Sequence, residues 1–79
     1  MREVKIGMVY KHFRGNKCLV LDMATDVESR QKYVVYAWFG KDGLSTHQIK
    51  LYSAFTSKVD CEKYPEATQK YCFEEMRMI

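Results

Sequence analysis

Hydrophobic and polar residues alternate at the start of the chain. Every second residue from Val4 to Tyr10 is apolar, and the charged Lys5 lies between the first two of these apolar residues. A period of two is typical of a strand with one buried face. Residues 13–17 follow with the pair Gly15-Asn16, residue types that tolerate positive φ. We therefore expect a strand that ends in a hairpin loop.

Further along the chain, the pattern predicts two more strands. Residues 18–24 are mostly apolar, and the polar residues 25–32 are expected to form a connecting loop. Residues 32–40 give the strongest strand signal, because β-branched and aromatic residues crowd into them. Apolar side chains occupy both parities of that segment, which indicates that both of its faces are covered. Residues 40–43 have the composition of a tight turn.

The pattern is weaker in the second half. We predict a strand over 44–48, one helical turn over 49–52 and a short strand over 55–59. Strands at roughly ten-residue spacing fit a small barrel, which we assign to residues 1–60. The tail, 61–79, is open to two interpretations.

The tail could form a helix or a strand. Pro65 followed by Glu66 is typical of a helix start, and this interpretation is favoured. The alternative is a closing strand at Tyr71-Cys72-Phe73. The predicted fold is therefore mainly β, with a short helical or extended C-terminal tail.

Length and composition add two expectations. A 79-residue domain buries only about 60% of the surface of its unfolded chain, so a partner subunit would compensate for a thin core. We accordingly expect a homo-oligomer. Aromatic residues make up 14% of the chain, and so small a core cannot hide all their rings. The net charge of +3 permits a phosphate-bearing partner without requiring one.

The three cysteines, Cys18, Cys61 and Cys72, show no CxxC spacing. This spacing favours reduced thiols in the cytoplasm over a disulfide framework or a zinc site. The first residues show no apolar signal-peptide segment, and no apolar run is long enough to span a membrane. We predict a cytoplasmic protein that needs no metal or other cofactor and has no membrane partner.

The segment from Tyr10 to Asn16 reads Tyr-Lys-His-Phe-Arg-Gly-Asn, and Val34-Val35-Tyr36 follows about twenty residues later. With Ala24 and Glu28 between them, these motifs resemble a family of short bacterial and phage proteins, the domain-of-unknown-function family 1653. The resemblance extends from about Gly7 to Val59. It implies an SH3-like barrel of about five strands, in the host cytoplasm if a phage encodes the chain, and implies no settled activity.

The chain departs from the family pattern in two segments, of which the first follows Val-Val-Tyr and reads Ala37-Trp38-Phe39-Gly40. The family usually carries Trp-Val-Arg-Pro after the third strand, whereas this chain reads Ser45-Thr46-His47-Gln48. His47 thus stands where the family has an arginine. This departure is consistent with a barrel that has kept its fold and changed its ligand.

Several polar and aromatic residues form a candidate binding surface. An arginine offers a bidentate fork to phosphate, an asparagine can read a base edge, and aromatic rings can stack on a base. The alternative is structural: Gly15 and Asn16 make the turn, a histidine orients the loop, and the rings pack in the core. The candidate ligand-binding residues are Tyr10, His12, Arg14, Asn16, Tyr36, Trp38 and His47.

The motifs of common enzymes are missing: the sequence has no Gly-rich phosphate loop, no H-E-x-x-H and no G-x-S-x-G. We therefore expect no catalytic residues. The leading hypothesis is a protein that binds a small anionic ligand, a nucleotide. The phage context of the resemblance suggests a sponge for the cyclic or ADP-ribose-type nucleotides of bacterial defence signalling. The alternatives are an SH3-like nucleic-acid-binding module and a protein-interaction adaptor or inhibitor.

Overall fold

The structure is a computed structural model that describes residues 3–76. Six strands and one short helix form in these residues, all strand pairs being antiparallel. The elements are β1 (Val9–His12), β2 (Lys17–Thr25), β3 (Lys32–Gly40), β4 (Gly43–Leu44), β5 (Gln48–Leu51), α1 (Tyr52–Phe55) and β6 (Phe73–Glu75).

The strands form one sheet in the order β4-β3-β2-β1-β6, and β5 pairs with β3 on the same edge as β4. The prediction of a mainly β fold is confirmed. Within residues 3–76 no strand pairing joins β6 to β4 or β5, so the sheet is open and a closed barrel is not confirmed. An isolated antiparallel bridge between Lys58 and Tyr71 joins the segment after α1 to the tail.

The two central strands match their predictions closely. β3 covers the predicted 32–40, and β2 extends the predicted 18–24 by one residue at each end. The predicted turns are also present, with φ of +104° at Gly15 and +103° at Gly43. The first strand is shorter than predicted, since Gly7, with φ +84°, lies in a turn that interrupts the alternation.

The segment after the turn differs from its prediction. Two strands, β4 and β5, replace the single strand over 44–48, and the helical turn comes later, over Tyr52–Phe55. The reason lies at Ser45, whose Oγ accepts the Trp38 N–H at 2.9 Å while its own N–H donates to the Trp38 carbonyl at 2.9 Å. The hydroxyl takes the place of a ladder carbonyl, and the register against β3 shifts by one residue before β5.

The favoured helix after Pro65 is wrong, and the extended alternative is the one observed. Residues 61–66 form turns, with Asp60 Oδ1 accepting the N–H of Glu62 at 3.0 Å. The chain then pairs with residues 57–59 and continues as β6 beside β1. A strand is preferred here because it buries Phe73, the most deeply enclosed ring of the tail. Predictions for residues 77–79 lie outside the described residues.

The core lies on the face of the sheet that α1 covers, here called the inner face. Residues directly opposite in an antiparallel pair point to the same side, so the register assigns each strand residue to a face. Phe55 of α1 stacks on Phe73 of β6 with ring centroids 4.1 Å apart and an angle of 10°. The inner face carries Tyr10, His12, Cys18, Val20, Val34, Tyr36, Trp38, Lys50 and Phe73.

Candidate ligand-binding site

His12 and Trp38 lie together at one end of the inner face, where β1 and β3 place them. His12 ends β1 directly opposite Phe73, and Trp38 lies opposite Cys18. The His12 ring centroid is 5.9 Å from that of Trp38 and 4.9 Å from that of Phe73, both edge to face. Both side chains are half-buried, so each rests on the core and keeps a surface toward solvent.

The imidazole of His12 has a defined tautomer. Its Nδ1 accepts the backbone N–H of Arg14 at 3.2 Å. In the neutral ring the proton must then be on Nε2, which becomes a donor for a ligand oxygen. Burial, the charge of Lys50 and the charge of Arg14, in that order, lower the pKa of His12 below its ordinary value of 6.5. An anion placed here would therefore meet two cations and a hydrogen-bond donor.

Lys50 lies on β5, level with Val34 of β3. Its Cα pairs with that of Val34, a fully buried inner-face residue, so the half-buried lysine starts on the inner face. Its charge acts on His12. The sequence suggested Lys50 only as one of several lysines of a possible positive rim, because the register of β5 against β3 is needed to assign it to this face.

The ring surface continues from His12 onto the β1–β2 hairpin and the tail. Phe13 lies 4.5 Å from His12, and Tyr64 lies 4.9 Å from Phe13, measured between ring centroids. With Trp38, these side chains form a line of four neighbouring rings, here called the aromatic row. The aromatic row consists of Trp38, His12, Phe13 and Tyr64.

A small cleft follows the end of this row. It has a volume of about 280 Å³ and is lined by Phe13, Arg14, Tyr64, Glu66, Ala67 and Thr68. The Arg14 guanidinium lies 5.6 Å from the Tyr64 ring centroid, and the Lys63 ammonium also lies 5.6 Å from it. These distances are within the range of cation–π attraction. Sequence reasoning missed Tyr64, because fifty residues separate it from Phe13 and no periodic pattern links them.

Two of the predicted site residues belong to the core. Tyr10 is 2% exposed, and its hydroxyl accepts the Lys5 N–H at 3.0 Å. Tyr36 is also buried, and its ring lies edge to face against Trp38 at 5.4 Å. Burial raises the pKa of the Tyr36 phenol, and the neighbouring Cys18 adds to the rise. The Tyr36 ring therefore packs against Trp38. Direct ligand contact by Tyr10 or Tyr36 stays a prediction.

The remaining two predicted site residues, Asn16 and His47, lie at the rim of the site. The Asn16 carbonyl accepts the His12 N–H at 2.7 Å and thereby closes the hairpin that positions Arg14. His47 is exposed in the irregular segment between β4 and β5. The structure thus brings His12, Arg14 and Trp38 together and places Asn16 and His47 at the periphery.

The described residues contain no cluster of three histidine, cysteine or acidic side chains able to hold a metal ion. The cysteines are free thiols, of which Cys18 is buried and Cys61 exposed. No helix between residues 3 and 76 has the length and apolar character needed to cross a bilayer.

Comparison with known protein families gives one match. A family model described as "Protein of unknown function (DUF1653)" matches residues 8–74, and the resemblance drawn from the sequence motifs is thereby confirmed at the level of the family. No curated protein and no solved structure matches the chain significantly.

Proposed function

Because this chain belongs to the DUF1653 family, whose function is unknown, we propose its function from the site: it binds and sequesters a nucleotide without chemically changing it. The observation that carries the proposal is the aromatic row, flanked by Arg14, Lys50 and Lys63. Rings bind the flat face of a base, and cations bind phosphate. Few other small metabolites offer both groups.

Each part of the site has a proposed role. Trp38 and Tyr64 are the two ends of the row and offer partly exposed ring surface to a base. Arg14 presents a bidentate fork to phosphate, and Lys50 adds a point charge beside His12. The His12 Nε2–H donates to a phosphate or base oxygen. Sequestration requires affinity alone, and these groups supply affinity.

The biological setting is part of the same proposal. Resemblance to phage proteins supports a cyclic nucleotide or an ADP-ribose-type signal of bacterial defence as the ligand, captured in the host cytoplasm. The fold is proposed to be a small SH3-like barrel. Support for it comes from the last strand, β6, which pairs with the first strand after a short helix. No catalytic step is proposed.

Isothermal titration calorimetry tests the binding of a nucleotide. The purified protein is titrated with a panel of mononucleotides, cyclic di- and trinucleotides and ADP-ribose. We expect one panel member to bind with a saturable signal that Trp38→Ala and Arg14→Ala each weaken about tenfold or more. Lys17→Ala is the matched control for the arginine, because Lys17 lies in the same hairpin on the opposite face. Flat titrations across the whole panel would refute the proposal.

A second function, binding of single-stranded nucleic acid, is favoured by the number of neighbouring rings in the row. Consecutive ring centroids are 5.9, 4.5 and 4.9 Å apart, so the row offers several rings on which successive bases could stack. Three phosphate contacts would make oligonucleotide affinity fall about 20-fold between 50 and 200 mM salt. An electrophoretic shift assay at both concentrations separates the functions, since a nucleotide binder saturates with one small ligand and gains little from a longer chain.

A further inference from the structure

The cleft at the end of the aromatic row contains an acidic side chain that phosphate binding does not explain. Glu66 lines this cleft together with Arg14 and Tyr64. Within residues 3–76 the Glu66 carboxylate makes no ion pair, although the Arg14 guanidinium lines the same cleft. A carboxylate repels phosphate. In a nucleotide bound as proposed above, the phosphate belongs beside Arg14, so Glu66 must meet a different part of the molecule.

The size of the cleft indicates which part of a nucleotide it holds. Its volume of about 280 Å³ is just below the ~300–1,000 Å³ of pockets that enclose a whole drug-sized ligand. Its walls include the rings of Phe13 and Tyr64, whose centroids lie 4.9 Å apart. Such a cleft suits a flat base. The sugar and phosphate then stay outside, beside the exposed Arg14 and Lys63.

Backbone and side-chain hydrogen bonds hold Glu66 next to this ring wall. The Ala67 N–H donates to the Tyr64 carbonyl at 3.1 Å, which closes the turn that contains Glu66. The Gln69 side-chain amide donates to the Lys11 carbonyl at 3.1 Å and so joins the tail to β1. A site whose parts are held in place before binding loses less entropy when the ligand enters.

The nucleobases differ in the groups that they present to a carboxylate. An ionised carboxylate only accepts hydrogen bonds, and its two oxygens suit two donors that lie side by side. Guanine presents such a pair, the ring N1–H and the exocyclic N2–H₂. Adenine and cytosine each place one amino donor beside a ring-nitrogen acceptor, and uracil and thymine place one N–H between two carbonyl oxygens. Guanine alone among these bases engages both carboxylate oxygens.

We propose that the cleft is a guanine-binding subsite, in which Glu66 accepts hydrogen bonds from N1–H and N2–H₂ while the base lies against the Phe13 and Tyr64 rings. The subsite rests on the proposed function and names the base of the nucleotide that is bound. Thr68 also lines the cleft, and its hydroxyl can donate to guanine O6 or accept from the adenine amino group. The hydroxyl thus accommodates both purines, and the selection depends on Glu66.

Isothermal titration calorimetry with nucleotides that differ only in the base tests the subsite. The pairs are GMP with AMP and cyclic di-GMP with cyclic di-AMP. IMP, which keeps N1–H and lacks the 2-amino group, completes the series. We expect the guanine member of a pair to bind at least about tenfold more tightly, because adenine sets a ring-nitrogen lone pair against one carboxylate oxygen. The affinity of IMP should lie between those of GMP and AMP.

Two variants of the tail show which residue makes the selection. Glu66→Gln should weaken guanine-nucleotide binding about tenfold and shift the preference toward adenine, because an amide offers one donor beside one acceptor. A merely structural role of Glu66 would weaken both bases equally. Glu62→Gln is the matched control, since it removes the same charge from the same run of turns. Glu62 is not among the described residues that line the cleft, so its variant should keep the guanine preference.

The possible results separate the subsite from the proposed function. A guanine preference that Glu66→Gln removes and Glu62→Gln keeps supports the subsite. Nucleotide binding without a guanine preference overturns the subsite and leaves the proposed function intact. A preference that survives Glu66→Gln, or that Glu62→Gln also removes, does the same. Flat titrations with all five nucleotides overturn the subsite, and the proposed function falls with it if the wider panel is flat as well.

Discussion

The two faces of β3 have similar compositions and different surroundings. On the inner face, Val34 and Tyr36 are buried beneath Phe55 and Phe73. On the outer face, Val35 and Phe39 lie partly or largely open. The comparison shows that an apolar face is expected to be covered, but that its composition does not tell which part of the chain, or which other molecule, covers it. The inner face is covered by residues far away in this chain, and its uncovered end carries the candidate site.

The largest expected difference is in how much protein stability is lost when a ring is removed from each face. Phe55 is 1% exposed, so Phe55→Ala should lower the free energy of unfolding by about 3–5 kcal/mol. Phe39→Ala should cost less than about 1 kcal/mol in dilute solution, because Phe39 is half exposed there. Urea denaturation followed by Trp38 fluorescence measures both. Phe55→Leu, a milder change, covers the case in which the alanine variant does not fold. Equal losses at the two positions would contradict the distinction between the faces.

The ionisation and alkylation of the Cys18 thiol test whether the inner face is closed to solvent. Burial raises the pKa of its thiol to about 11 from 9.0, against a smaller opposite effect of a backbone hydrogen bond. Because the unfolded chain loses this proton first, stability should be full below pH 9 and fall by roughly 2–3 kcal/mol as the pH rises to 11. Urea denaturation at several pH values, compared with Cys18→Ala, measures the loss. In native protein at pH 8 the exposed Cys61 should be alkylated well before Cys18, and equal rates would show that the inner face is open.

The hairpin that carries Arg14 depends on the backbone more than on packing. Gly15 has φ +104°, and a Cβ there would contact nothing within 4 Å, so Gly15→Ala should cost about 1–2 kcal/mol through backbone strain alone. Gly15→Val should cost more, because a β-branched residue resists positive φ. Gly40→Ala is the control, since a Cβ at Gly40 makes an ordinary 3.5 Å contact without positive φ. In thermal unfolding, Gly15→Val should lose the most stability, Gly15→Ala less and Gly40→Ala the least. Equal losses would show that the strain does not lie at Gly15.

The smallest expected effect is the titration of His12. Its pKa should lie below 6.5, and Lys50→Ala should raise it by removing a neighbouring positive charge. As the pH falls through 6.5 the unfolded chain takes the proton first, so native stability should decrease until folded His12 is also protonated. A bound anion should oppose this shift, and anion affinity should therefore rise as the pH falls. NMR titration of the ring protons measures both effects; an unchanged pKa in Lys50→Ala would place Lys50 outside the site.

Sequence reasoning succeeded where the signal was local. The span of β3 and the turns at Gly15 and Gly43 follow from residue types within a few positions. The features that failed depend on distant contacts. The sequence around Pro65 does not reveal that Phe73 is needed to complete the core, so a helix was favoured over β6.

The candidate site divides in the same way. His12, Arg14 and Trp38 could be named because a short motif and an aromatic run contain them. Tyr64 could not, since its place depends on the path of the tail, and Lys50 could be named only as one of several lysines of a possible positive rim. For Tyr10 the sequence left two interpretations open, the buried face of a strand and a ligand contact, because an amphipathic ring suits both, and the structure shows it buried.

The pairing of β1 with β6 has a consequence for how the protein is made. His12 lies opposite Phe73 although about sixty residues separate them along the chain. A ribosome that has released only the first three strands holds an emerging polypeptide whose central rings are exposed and whose sheet has no Phe73. Native structure must then form after translation has passed Glu75, in a late, non-local step of the kind that slows folding. Any fusion that delays release of β6 should lengthen the time during which the nascent chain is vulnerable to aggregation and proteolysis.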